Sequence, residues 1–233
     1  IDAKQNDSVL NFYTEVYPPG SYVEKGELKG VTVDTLKAIW LELGQKEQPI
    51  TVIPWSRGYR YAEEVDNSVL FTMARTESRE PLFKWVGPVY ASSQVLIAKK
   101  SRGFNFNSLK QTFSYKVSAV RGDLSEGTLL KLGFPSSNLS SVTQLDQAVQ
   151  MLQSDRVDMV VLTLYSFYHI AKQLNLDLTD YQVALQVSKF GNYIAFNKNT
   201  PDSVIEKYQK AFDAIKDQRV KIKHKYALPG IDY

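Results

Sequence analysis

The stretch Leu70–Pro88, LFTMARTESREPLFKWVGP, decides how the rest of the chain is read. It opens as an apolar strand and runs straight into Arg75, Thr76 and Arg79. Thr76 is placed like a helix N-cap, with a hydroxyl able to accept from an amide two or three residues on. That reading puts Arg79 in a first helical turn, where the macrodipole disfavours a cation by roughly 0.3–1 kcal/mol. A capping box would carry Glu or Gln there. A cation set against its own helix is expected where something anionic arrives.

Working back from Leu70, SVLNFYTEV reads as a strand closed by the Tyr17-Pro18-Pro19-Gly20 loop. SYVEKGELKGV reads as a hairpin around Gly26. VDTLKAIWLELG carries Leu36, Ile39, Trp40 and Leu43 at helical spacing, with Gly44 as the stop. PITVIPW is β-rich and precedes a polar helix from about Ser56 to Glu64. The order β-α-β-α-β ending in SVLFTM predicts a mostly parallel sheet covered by helices.

Working forward, YASSQVLIAKK is an extended run without a breaker, long enough to pass between two bodies. SYKVSAVRGD reads as a strand and LSEGTLLKLG as a helix ending at Gly133. NLSSVTQLDQAVQMLQSD contains a helix with Leu145, Val149 and Leu152 on one face. VDMVVLTL is a buried strand and YSFYHIAKQLN a helix. YQVALQVSKFGNYIAFNKN is again long and extended, and the segment from Pro201 to Leu228 reads as one helix that returns to the first body. Two α/β lobes joined by two long crossings is the simplest topology.

The net charge of +3, from 28 basic and 25 acidic residues, is too balanced to argue for nucleic acid, and no basic stripe is visible. No apolar stretch is long enough to span a membrane. The chain opens on IDAKQNDSVLNFYT, which reads as a mature or trimmed N-terminus. With no cysteine, disulfides and thiolate metal sites are excluded. With only two histidines, no metal cluster has believable spacing. His169 reads as a packed or surface residue and His224 as solvated. Ser125 lies in GDLSEG, but no Gly-X-Ser-X-Gly elbow is present, so no cofactor, metal or catalytic residue is expected.

The order of these pieces resembles the periplasmic solute-binding proteins of the polar amino-acid type, bacterial extracellular solute-binding family 3. YPPGSYVEKGELKGVTVDTLKAI is similar to the family's Tyr-Pro-Pro, Gly-X-Leu-X-Gly and Asp-X-X-X-X-Ala-Ile opening. ARTESREPLFKWVGPVY resembles its Thr-X-X-Arg signature, SAVRGDLSEGTLLK its strand–Gly–helix anion loop, and SDRVDMVVLT its Arg-X-Asp strand. YIAFNKNTPDSVIEKYQKAFDAIKDQ is similar to its closing strand and helix. The resemblance implies an α/β, two-lobe, type II periplasmic-binding-protein-like fold with a two-strand hinge. Lobe 1 is expected over 1–91 plus 190–233 and lobe 2 over 92–189. The lobes are expected to close on a small ligand like a trap.

The resemblance assigns Arg79 to a ligand carboxylate, which a planar fork of donors matches bidentately. The competing reading is a salt bridge with Glu77 or Glu80. Arg75 either lines the pocket or faces solvent. Tyr17 matches the family's aromatic cover, and Trp55 is expected to form the opposite wall. Arg57 adds a second anion contact or bonds back to loop carbonyls. Thr72 and Ala74 lie on the strand end whose backbone holds the ligand's polar head. Asp123 stands where the family carries a small hydroxyl residue; it is either an N-cap or faces a ligand amine, with Arg121 offsetting its charge. Thr163 stands where amino-acid binders carry the aspartate that pairs with the ammonium. Losing a buried charged partner typically costs about 2–5 kcal/mol, so Asp123 or Glu15 takes the amine, or the ligand has none.

These expectations describe a non-catalytic, monomeric, periplasmic protein that delivers a carboxylate-bearing small molecule to the membrane permease of an ABC transporter. The same module occurs as the sensing ectodomain of signalling receptors; the ending YALPGIDY, without a membrane segment, favours the free protein. A lyase-like enzyme on this fold would need an acid–base pair, and Glu15 and Asp123 have no evident partner.

Overall fold

The computed structural model describes residues 9–226 and the backbone of 231–232. Ser8, where the sequence pattern starts the first strand, and Ala227 and Leu228, where it ends the last helix, lie outside the described residues. So do the rest of the opening segment and most of the closing one.

The chain begins with β1 (Asn11–Thr14), the hairpin β2 (Tyr22–Glu24) and β3 (Glu27–Lys29), then α1 (Val31–Glu42), β4 (Ile50–Val52), α2 (Trp55–Glu64) and β5 (Ser68–Ala74). The long strand β6 (Phe83–Lys99) leads to β7 (Val117–Val120), α3 (Leu124–Lys131), β8 (Leu139–Val142), α4 (Leu145–Gln153), β9 (Met159–Thr163) and α5 (Leu164–Gln173). A second long strand, β10 (Tyr181–Asn197), precedes α6 (Asp202–Ala214), α7 (Lys216–Lys225) and the short β11 (Ile231–Asp232). Among the described residues, one compact unit holds 9–90 and 191–226, and the other holds 91–190 with 231–232. Strands β6 and β10 each run from one unit into the other.

In the first unit β1 lies between β4 and β5, parallel to both, and β10 runs antiparallel along β5. Every residue of β5 is buried, as expected for a strand covered on both faces. On one side Phe12 meets Trp40 edge to face at 5.0 Å, and Phe196 meets Tyr208 at 5.3 Å. On the other, Leu70, Met73, Ala62 and Phe83 pack with Ala195 against Tyr13, Trp55, Tyr59 and Trp85.

The second unit pairs β6 with β9 and β7 with both β9 and β8. Its apolar residues alternate cleanly between two cores. Val95, Ile97, Val160 and Leu162 face α4 and α5 residues such as Val149 and Phe167. Leu96, Ala98, Met159 and Val161 join Val117, Ala119 and Leu129 on the opposite face.

Three sequence expectations are corrected. No α-helix follows β5: the Thr76 carbonyl accepts from the amides of Arg79 (3.0 Å) and Glu80 (2.8 Å), closing a turn that passes into a single 3₁₀ turn, Glu80–Leu82. Proline at 81 and the aromatic run behind it leave no room for helix, so Arg79 stands in no macrodipole. The segment before α4 contributes a strand, β8, whose polar Ser140 and Ser141 hide its β period. The last helix is two, broken at Ile215; Arg219 of α7 donates through Nε to the Phe212 carbonyl (2.9 Å) that the break exposes.

Helix α1 starts against the Pro18–Gly20 loop, with the amides of Val31 and Thr32 bonded to the carbonyls of Pro19 (2.8 Å) and Gly20 (3.0 Å). Gly30 has φ of +136°, and a Cβ there would overlap the Gly20 carbonyl, so only glycine permits this approach. The end of α7 locks onto the same point. The Tyr226 hydroxyl donates to Asp34 (2.8 Å) and accepts from the Gly30 amide (3.3 Å), and Lys225 pairs with Asp34 at 2.8 Å. Burial, reinforced by the Asp34 carboxylate, pushes the Tyr226 phenol up to about 12. The unfolded value is about 10, so the folded chain holds this proton more tightly. The stabilisation is complete below about pH 10 and is lost as pH rises through the folded value. Urea denaturation is expected to show stability falling over that window, with Tyr226→Phe removing this part of the fall and costing about 1–2 kcal/mol at neutral pH.

Candidate functional site

The predicted residues of the first unit gather at the ends of β1 and β5 and at the start of α2. Trp55 opens α2 directly after Pro54, and Tyr59 lies one helical turn on, so the two rings share a face with centroids 5.8 Å apart. The half-buried Arg79 lays its guanidinium over both, 5.2 Å from the Trp55 centroid and 5.5 Å from that of Tyr59. Its Nη1 donates to the Ala74 carbonyl at 3.1 Å. Burial pushes the Tyr59 phenol up, while the Arg79 cation beside it pulls the other way. Arg79 is therefore fixed by ring faces and a backbone carbonyl.

Arg75 is arranged differently. It is exposed and grips Glu80 with both arms of its fork, Nε at 2.6 Å and Nη2 at 2.5 Å, while lying over the rings of Trp85 and Tyr193 at 5.6 and 5.1 Å. The Glu80 pairing weighed in the sequence for Arg79 is made by Arg75, because the tight turn brings residues 75 and 80 together. The Arg75 cation in turn holds the Glu80 carboxyl below its usual range.

Tyr17 follows β1 and bonds backbone to backbone with Ser21, across the loop of Pro18 and Pro19. The half-buried Glu15 offers its carbonyl to the hydroxyls of Ser21 (2.8 Å) and Thr14 (3.2 Å). Thr72 is 5% exposed, with its hydroxyl 3.3 Å from that of Ser21. Arg57 stands exposed on α2.

In the second unit Asp123 is the N-cap of α3, accepting from the Glu126 amide at 2.8 Å. Glu126 reaches back to the Gly122 amide at 2.5 Å and also takes the Ser141 hydroxyl. This pair of acids occupies the helix N-terminus, where two negative charges are favoured by the dipole. Arg121 is exposed and only approaches the Ser141 carbonyl, at 3.5 Å. Thr163 ends β9 and caps α5, accepting from the Ser166 amide (3.2 Å) and donating to its hydroxyl (2.8 Å). Opposite it in register is Gln94, which donates to Ser125 in the first turn of α3 and accepts from Ser188 of β10.

The structure thus joins Arg79, Trp55 and Ala74, joins Thr72 to the loop bearing Tyr17, and turns Arg75 aside. The sequence reading missed Tyr59, which its spacing of four from Trp55 on a helix signalled, and Glu126, the third residue after Asp123 in a capping-box pattern. Among the described residues, no group of three or more His, Cys, Asp or Glu side chains is placed to hold a metal ion.

The architecture is the type II periplasmic-binding-protein fold. The sequence profile of the bacterial extracellular solute-binding proteins, family 3, matches residues 10–228, and the chain belongs to that family. No curated protein matches the sequence. Among solved structures, the chain is similar to a histidine kinase sensor domain with similarity to periplasmic binding proteins (TM-score 0.81, 16% identity, 93% of this chain and 95% of that one). It is also similar to an ancestral arginine-binding protein bound to glutamine (TM-score 0.77, 25% identity, 93% and 96%). A third is an ABC uptake transporter substrate-binding protein from Streptococcus pneumoniae with bound histidine (TM-score 0.78, 17% identity, 93% and 92%).

The capping role of Asp123 carries a measurable consequence. In urea denaturation Asp123→Ala is expected to cost about 0.5–2 kcal/mol, while Arg121→Ala stays within about 0.5 kcal/mol of the parent.

Proposed function

We propose that this protein binds a small carboxylate-bearing solute of the polar amino-acid type outside the cytoplasm and delivers it to the permease of an ABC transporter. The observation that carries this reading is the Arg79 guanidinium, set over the rings of Trp55 and Tyr59 and bonded to the Ala74 carbonyl. A guanidinium pre-oriented in this way loses little freedom when a planar carboxylate docks on it, and a bidentate, charge-assisted pair supplies both energy and direction. Tyr17 and Trp55 supply apolar faces for the ligand's body. Membership of the solute-binding family supports the reading, as do the amino acids named for two of the similar structures.

The similarity to a histidine kinase sensor domain favours a second reading, in which the same ligand site reports to a signalling partner. The gene decides between them: a downstream apolar span followed by a kinase supports sensing, and an adjacent permease gene supports transport.

The test of the site is a thermal-shift screen of polar amino acids and dicarboxylates. A ligand at 100 times its dissociation constant adds about 2.7 kcal/mol, which raises the melting temperature of a chain this size by roughly 5–10 °C. Arg79→Ala is expected to abolish the shift and Arg79→Lys to weaken it, because an ammonium lacks the fork. Arg102→Ala, which removes an arginine paired with Asp158 in the second unit, serves as the control and should keep it. A ligand that shifts the parent and Arg79→Ala equally rules out the assignment.

A further inference from the structure

Thr72 lies in the middle of a strand with φ of +60°. This is the left-handed region, where a β-branched residue is an outlier. The register along β10 shows what the conformation does. Ile194 pairs with Phe71 and its neighbour Tyr193 pairs with Met73, so Thr72 is the extra, unpaired residue of a bulge. One extra residue reverses the in–out alternation of everything after it. Leu70 and Met73 are three apart and would face opposite ways in a regular strand. Here both pack in the same cluster, beneath Trp55, Tyr59 and Trp85.

We propose that Thr72 is a positioning residue for Arg79. Its left-handed backbone turns Met73 under the two rings on which the guanidinium lies and aims the Ala74 carbonyl at Arg79 Nη1. The residue is clamped from the β1 side. Its hydroxyl meets that of Ser21, which meets Thr14 at 2.7 Å, and its side chain fills the space that a Cβ on Gly20 would need. The Tyr17–Gly20 loop and the Arg79 anchor are thereby set by one residue. The functional meaning rests on Arg79 being the carboxylate anchor; the positioning itself does not.

The test reads Arg79 directly in the full chain without any ligand, from the Nε–H signal of ¹⁵N-arginine-labelled protein, assigned by its loss in Arg79→Lys. Lying over two rings, this signal is displaced by their currents from the position of an exposed arginine such as Arg57. Thr72→Gly adopts the left-handed conformation freely and is expected to keep the displacement. Thr72→Val keeps the shape and the strain but loses the hydroxyl that holds the clamp, and is expected to lose it. If the valine variant does not fold, Thr72→Ala takes its place with the same expectation. A side chain that merely fills space gives the reverse order, since glycine leaves the larger void. Any pattern other than glycine retaining and valine or alanine losing the displacement overturns the proposal. The readout needs no carboxylate ligand and is the same whatever the thermal-shift screen finds, so failure here and failure of the binding reading are told apart.

Discussion

The constraint on which the first unit depends is the complete burial of β5. A strand flanked by β1 and β10 and covered on both faces has no solvent side on which to discard a misplaced residue. Its side chains must alternate between two cores, and the alternation is interrupted at one point only, Thr72. Before it, Val69 and Phe71 alternate with Leu70; after it, Met73 rejoins the Leu70 side. The chain therefore leaves the sheet at Ala74 with a carbonyl directed to Arg79, and the following turn holds both arginines within five residues of that exit.

Those two arginines show how little a residue type says without its surroundings. Arg75 is exposed, and an exposed ion pair is worth about 0–1 kcal/mol, with a ring contact adding about 0.5–1 kcal/mol. Its grip on Glu80 keeps the turn in one shape rather than stabilising the unit greatly. Arg79 spends its apolar faces on two rings and its edge on a carbonyl, in a setting where water competes less. In the second unit the acids follow a similar logic. Asp123 and Glu126 sit where the α3 amides point, so the helix terminus is neutralised from within the chain rather than left to attract anions from solution.

Much of the fold was legible in the sequence because period and punctuation agreed: Leu36, Ile39 and Trp40 before Gly44, or the unbroken apolar runs at 68–74 and 159–163. What misled was chemistry shared by two local structures. Thr76 carries the same side-chain signal at the head of a turn as at the head of a helix, and only the proline at 81 argued against helix. Strand β8 puts one serine on each face, Ser141 with Leu139 and Ser140 with Val142, so no apolar alternation marks it, and the α6–α7 break falls at an isoleucine, with neither Gly nor Pro to signal it. Arg79 was singled out by family resemblance and Trp55 by its place at a strand end, but neither announced that the two would meet, and the helical spacing that adds Tyr59 went unused. The bulge at Thr72 had no sequence signal, since a threonine in VLFTMA is what a regular strand would carry.

The magnitudes show why a threonine is retained at a conformation that suits glycine. Holding a non-glycine residue in a sparsely populated region costs on the order of 1–3 kcal/mol. The hydroxyl contact with Ser21 returns about 0.5–1.5 kcal/mol, which does not cover the upper part of that range. Without the bulge Met73 would be forced into the opposite, already packed core, where an inserted side chain costs about 1–3 kcal/mol. Packing beyond the bulge and the bond to Ser21 thus offset the strain together, and a side chain that keeps the strain without the bond falls short. The side chain decides where the strain is stored. A glycine at 72 would carry the bulge without strain, whereas the threonine carries it while wedged against Gly20 and bonded to Ser21, and so ties the carbonyl that Arg79 meets to the Tyr17–Gly20 loop.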